Sequence, residues 1–295
     1  MLTVFQSISR LLAALMLLFI CLTSARAASL QVAVVLSDEG VTYREIAATL
    51  RKELDTDAFT LTLSNSSVPT GKADLYVAVG MQATASLAQS RQPVLSVLTP
   101  RAGIRALRPT AALSAIYVEQ PLARQLALLS AALPQVHSLG VLYATPPAEL
   151  AELEKLSIAA GLTLRTQLVA EPSQLAARLS GLLEKSDALL VLPDAAVYRP
   201  DTIRNILLET YRRRVPMIGL SQHYVRAGAL CAIYSTPEQI ARQAAKAIEY
   251  FAATGRLPAS QYPEEFEVAV NTRVARSLGL TIKDAEQLRA SIRGK

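Results

Sequence analysis

The chain has no tryptophan, and only two histidines and two cysteines among its 295 residues. Each shortage removes a class of chemistry. Sugar-binding clefts often stack pyranose faces on tryptophan, so its absence weighs lightly against a sugar ligand. His137 and His223 stand far apart, beside no cysteine or carboxylate cluster with metal-ligand spacing, which argues against a zinc site. Cys21 falls in an N-terminal apolar run and Cys231 in the run Ala229–Ile233, where a buried thiol behaves as a small hydrophobe. There is no glycine-rich phosphate loop and no Gly-x-Ser-x-Gly elbow. No constellation asks for an enzyme or for a cofactor.

What is present begins with the N-terminus. Arg10 precedes an unbroken apolar run from Leu11 to Leu22, followed by the small-residue stretch Thr23–Ala27. This is the three-part layout of a secretory signal peptide with a cut after Ala27, and the apolar run is shorter than the roughly 20 residues that spanning requires. Lipid attachment at Cys21 would want a small residue before it, and Ile20 is large and β-branched. The expected product is a periplasmic chain of 268 of the 295 residues. The leader takes two arginines and no acid with it, so the net charge falls from +6 to +4, too small and too scattered to argue for nucleic acid.

Beyond the leader, short apolar runs alternate with amphipathic stretches. Leu30–Leu36, Phe59–Leu63, Leu75–Val79, Val94–Leu98 and Ala112–Val118 read as strands, with helices at Tyr43–Leu54 and Gln82–Gln89. The pattern then restarts. Strands are expected at Leu139–Tyr143, Leu162–Val169, Ala188–Leu192, Val215–Leu220 and Ala229–Tyr234, separated by helices at Leu122–Leu133, Pro147–Ala160, Gln174–Lys185 and Asp201–Arg214. Near-continuous apolar strands imply sheets covered on both faces, and strand–helix alternation implies parallel order. The fold class is therefore α/β, with two doubly wound parallel-sheet lobes joined by a crossover hinge and a ligand cleft between them. The boundaries are lobe I at 28–118, lobe II at 119–234, and 235–295 as a helix (Glu238–Thr254) and a strand (Phe266–Val270) returning to lobe I and the hinge.

In such sheets ligands collect beyond the carboxyl ends of the strands, so the residues just after strands are the candidates. Ser37 and Asp38 follow the first strand, Asp38 equally suited to capping the next helix. Gly80, Met81 and Gln82 form a strand-to-helix turn where free N–H groups suit an anion, or serve only as a tight turn. Asp194 ends the Ala188–Leu192 strand, as a ligand carboxylate or a loop cap. Tyr117, Tyr143, Tyr198 and Tyr234 sit at or beyond strand ends, some for stacking on a flat ligand and some for the core. Ser221, Gln222 and His223 follow another strand, and Ser235 and Thr236 occupy the second crossover.

Several stretches carry a resemblance: LALLSAALPQVHSLGVLY (Leu126–Tyr143), DALLVLPDAAVYRPDTIRNILLETYRRRVPMIGL (Asp187–Leu220), VRAGALCAI (Val225–Ile233) and NTRVARSLGL (Asn271–Leu280), with ADLYVAVGMQA (Ala73–Ala83) in the first lobe. In order and spacing they resemble the periplasmic substrate-binding proteins of ABC importers, in the branch related to tryptophan/tyrosine-binding components. The resemblance implies a type I periplasmic binding protein fold, a small organic ligand such as an amino acid, a membrane permease as partner, and a monomer. It also implies a carboxylate role for Asp194. The chain departs from the family's pattern at Thr99–Tyr117, a compressed segment with Pro100, Arg101, Arg105 and Arg108, and at Ser235–Gln239, where a tyrosine-containing stretch is usual. The competing expectation is a sensory module of the same fold, reporting ligand occupancy to a membrane sensor kinase or cyclase.

Overall fold

The computed structural model describes residues 29–54, 57–65 and 73–293. The expected leader and its cut after Ala27 lie outside the described residues. Lobe I is built on β1 (Leu30–Leu36), β2 (Phe59–Asn65), β3 (Leu75–Val79), β4 (Val94–Thr99) and β5 (Leu113–Tyr117), all parallel in the order β2-β1-β3-β4-β5. Lobe II holds β6 (Ser138–Tyr143), β7 (Thr163–Leu168), β8 (Ala188–Leu190), β9 (Met217–Gly219), β10 (Cys231–Tyr234) and β11 (Glu267–Val270), in the order β11-β10-β9-β8-β6-β7. Only β11 runs antiparallel, against β10.

The apolar runs are the strands covered on both faces. One face of lobe I's sheet (Val32, Val34, Leu36) packs on Ile46 and Leu50 of α1 (Val41–Glu53). The other face (Ala33, Val35, Ala78) packs on Ala83 and Leu87 of α2 (Met81–Leu87). The edge strands β2 and β7 are mostly exposed or half-buried, which is why FTLTLSN and TLRTQL mix polar with apolar residues. Lobe II is sandwiched by α4 (Leu122–Ala132) and α5 (Leu150–Ala159) on one face and by α6 (Leu175–Leu183) and α7 (Pro200–Arg212) on the other.

Three crossings join the lobes, near residues 118–121, 235–236 and 261–266. After the second, α9 (Pro237–Thr254) returns to lobe I and lays Ile240, Ala244, Ile248 and Phe251 into the same core as α1. A capping box starts it: Gln239 N donates to Thr236 Oγ1 at 3.2 Å while Thr236 N donates to Gln239 Oε1 at 2.9 Å, with Pro237 in the first turn. Gln261 then pairs with β5, donating to Ala115 O and accepting from Tyr117 N, before the chain crosses back.

One expectation needs correction. The late strand, placed with lobe I on sequence grounds, is β11 and joins lobe II, because Val268 and Phe266 complete that lobe's core. Short helices also stand where no helical period is readable: α3 (Arg101–Ala106), α8 (Gln222–Ala227) and α10 (Thr272–Ser277), followed by α11 (Ala285–Arg293). Six residues make under two turns, too few to show a periodicity.

Candidate functional site

A cavity of about 340 Å³ lies where the two lobes and the hinge meet. Lobe I contributes Arg101 and Ala102, the crossings contribute Glu119, Gln120 and Tyr262, and lobe II supplies apolar walls from Leu122, Leu192, Pro146 and Pro147 with Gln125 and Asp194 among them. The loop 144–148 after β6 and the loop 192–196 after β8 both reach it, as strand carboxyl ends should.

Arg101 owes its position to a kink. β4 slips register between Val97 and Thr99, and Leu98 sits in the left-handed region at φ 56°, unusual for a leucine. Buried hydroxyls lock the strand end that follows: Thr84 Oγ1 donates to Gly80 O at 2.8 Å and lies 2.7 Å from Ser96 Oγ, which in turn contacts Thr99 Oγ1 at 2.5 Å. The kink turns Pro100 into α3 and aims Arg101 at the cleft. There its Nη1 donates to Tyr262 Oη at 2.7 Å and pairs with Glu149 Oε1 at 3.3 Å, and the guanidinium lies 5.6 Å from the centre of the Tyr262 ring. Burial lowers the basicity of Arg101, but Tyr262, Glu149 and Glu152 outweigh it and leave it above its ordinary value. Glu149 belongs to lobe II and also receives Arg105 Nη1 at 3.3 Å, so this cluster ties one lobe to the other.

Glu119 takes a different environment. Both carboxylate oxygens accept from the single backbone N–H of Arg101, at 3.0 and 3.1 Å. Burial raises its pKa above the usual carboxylate range; backbone N–H groups and Arg101 offset part of this, and the charge of Glu149 adds to it. Around it the hinge is laced together. Gln120 Nε2 donates to Ser235 Oγ at 2.8 Å, Ser235 Oγ donates to Glu265 O, and Arg124 Nη1 reaches Gln120 Oε1 at 2.7 Å and Pro263 O at 2.8 Å.

Of the residues singled out in the sequence, Asp194 lines this cavity. Its Oδ2 accepts from Ala144 N at 2.7 Å, and its Oδ1 from Ala196 N at 2.9 Å and Val197 N at 3.1 Å, pinning the loops after β6 and β8 together. The rest fall outside it. Ser37 Oγ accepts from Ala83 N at 2.9 Å, and Asp38 Oδ1 accepts from Gly40 N at 2.6 Å, closing a turn. Gly80 takes φ 88° and faces Ser37 and Tyr43 side chains, while Met81 packs against Gly103 and Gln82 is exposed. Tyr117 meets Tyr262 edge-on at 5.3 Å, one step behind the cavity wall.

Tyr143 and Tyr198 are core residues of lobe II, and burial pushes the Tyr198 phenol far above its ordinary range. Ser221 stands at the N-cap of α8, Gln222 accepts from Arg226, and Tyr234 is half-buried at the end of β10. Arg101, Glu119 and Tyr262 were not among the sequence candidates. Glu119 follows β5 by two residues and was within reach of the strand-end rule. Tyr262 lies on a crossing with no periodic signal.

No curated protein matches the chain. Solved structures share the fold. One is an ABC domain in complex with L-Trp from Streptococcus pneumonia, 18% identical with a TM-score of 0.62, the match covering 88% of this chain and 98% of that one. Another is the ligand-free, open form of a substrate-binding protein with adhesive properties from Clostridium difficile, 15% identical with a TM-score of 0.69, covering 87% and 97%. A conserved domain protein from Vibrio cholerae is 19% identical with a TM-score of 0.62, covering 89% and 98%. Residues 106–291, from the hinge-side end of lobe I to the last helix, match the family described as ABC transporter substrate binding protein, and the chain belongs to that family.

Proposed function

We propose that this protein captures an amino acid in the cavity between its lobes and delivers it to the permease of an ABC importer, working as an exported periplasmic monomer once the leader ending at Ala27 is removed. The observation that carries the reading is the cavity's make-up. Apolar walls, mostly from lobe II, surround carboxylates (Glu119, Glu149, Asp194) and a guanidinium (Arg101), which suits a zwitterion bearing an apolar side chain. A volume of about 340 Å³ is at the small end for ligand sites and fits a metabolite rather than a peptide. The bound L-Trp of the structurally similar ABC domain supports the same class. Ligand burial between lobes would drive closure about the hinge, giving the permease a surface found only in the loaded form.

Thermal unfolding against the twenty common amino acids tests it. A ligand at one hundred times its dissociation constant adds about 2.7 kcal/mol of stability, a midpoint rise of several degrees. A panel with no shift sinks the amino-acid reading. Uptake of the identified ligand by cells lacking the gene then separates import from sensing: lost high-affinity uptake supports delivery to a permease, whereas intact uptake with a lost transcriptional response supports the sensory module.

A further inference from the structure

We propose that Glu119 is the anchor for a cationic nitrogen, so that the ligand carries an ammonium group; this rests on the reading of the cavity as the ligand site, and for an amino acid it assigns the α-amino group to the hinge. Three carboxylates line the cavity, and their surroundings differ. Asp194 accepts three backbone N–H groups, and Glu149 is paired with Arg101 and Arg105. Glu119 has the N–H of Arg101, shared between both oxygens, and its own backbone N–H, with the charge of Arg101 helping at a distance, and among the described residues no Lys, Arg or His forms an ion pair with it. A carboxylate has room for about four hydrogen bonds, and one taken from water without a counter-charge is costly. The charged and titratable groups around it are Arg101 and Tyr262 on the lobe I and hinge side, and Glu149 and Asp194 on the lobe II side. The Arg101 guanidinium is turned to Tyr262 and Glu149 instead. An ammonium group entering from the cavity meets a carboxylate that backbone N–H groups satisfy only in part and that forms no side-chain ion pair. Placed on the first crossing, that contact links ligand occupancy directly to the hinge.

Glu119 also caps the start of α3, and the experiment must separate that role from ligand binding. Glu119→Gln keeps an amide oxygen for the Arg101 N–H and removes the charge. Residues 28–295 and the variant would be titrated calorimetrically with three probe groups: the twenty amino acids, amines without a carboxylate (tryptamine, tyramine, putrescine), and acids without an amine (indole-3-propionate, 3-phenylpropionate). Affinity for the ammonium probes that bind should fall about ten- to a hundredfold in the variant, the range for a hydrogen bond to a charged group. The deaminated acids should bind neither protein.

Deaminated acids that bind as tightly as their parent amino acids, or a variant with full affinity, would overturn the assignment and leave the amino-acid reading standing. Amines that bind where amino acids do not would overturn the amino-acid reading and leave the assignment standing. A panel in which no ammonium probe binds overturns both. Should the variant fail to fold, the wild type alone still decides. Binding measured from about pH 4 to 8 in two buffers of different ionisation enthalpy should release protons increasingly as pH falls through the raised pKa of Glu119, and zero release across the whole range refutes the assignment.

Discussion

Asp194 holds three backbone N–H groups at once and thereby fixes the loops after β6 and β8, which form much of the lobe II wall. An asparagine at this position can present one oxygen, so whichever way it turns, an amide N–H₂ faces a backbone donor. Asp194→Asn should therefore cost about 1–3 kcal/mol of stability before any effect on binding, read as a lower denaturant midpoint at unchanged slope. Gly80 is decided by space as well as by its φ of 88°: an added Cβ would lie 2.7 Å from Ser37 Oγ and 2.8 Å from Tyr43. Gly80→Ala should destabilise by about 1–3 kcal/mol in thermal or denaturant unfolding, without needing any ligand to be present. Glu119 gives the pH-dependent case. Its pKa is raised in the folded chain, so the fold favours the protonated form. Its contribution is thus most favourable below the ordinary glutamate range and declines as pH rises through the raised value. The stability difference between wild type and Glu119→Gln should shift in the variant's favour over that window, and a difference flat with pH would contradict it.

At the scale of elements, the clasp between α3 and the start of α5 is the feature to test. Arg101 and Arg105 share Glu149 across the mouth of the cleft, with Glu152 at 3.8 Å from Arg101. Such half-exposed pairs contribute about 0–1 kcal/mol each and are screened by salt. Glu149→Gln removes two such pairs and should therefore weaken ligand affinity by no more than about thirtyfold at low ionic strength, with the difference vanishing near 1 M salt. A loss of affinity that persists in high salt would mean Glu149 touches ligand rather than closing the lobes. The same elements show what the sequence carries and what it does not. Leu75–Val79 and Leu30–Leu36 were legible as strands because a strand covered on both faces must be apolar throughout. The loops after the carboxyl ends of β6 and β8 do line the cavity between the lobes. The cavity itself was not legible, since Arg101, Glu119 and Tyr262 come from a six-residue helix and two crossings, and they meet only once the lobes are placed. Ser37 and Gly80 obey the strand-end rule but spend their polar groups and space on the turn into α2.

The whole molecule is two lobes in space but an interleaved chain. Lobe I is not complete when its fifth strand ends: α9, about 120 residues later in the chain, supplies Ile240, Ala244, Ile248 and Phe251 to the face that α1 alone leaves half covered. Lobe II in turn waits for β11 and for Leu288 and Ile292 of α11. Each lobe thus depends on a segment the chain delivers only after crossing the hinge, and the polar lacing among Gln120, Ser235, Glu265 and Arg124 holds those crossings in register. Long-range closure of this kind links the lobes in unfolding even though each has its own core. Ending the chain after Tyr234 tests the point. If lobe I were self-sufficient, residues 29–234 would keep its sheet and melt cooperatively. The interleaved arrangement predicts instead that the apolar faces of Ile46, Leu50 and the central strands are left open to water, so the fragment should bind a hydrophobic dye and lose its sharp thermal transition. Adding residues 235–254 alone should restore protection to lobe I amides in hydrogen exchange while leaving lobe II, still without β11, unprotected.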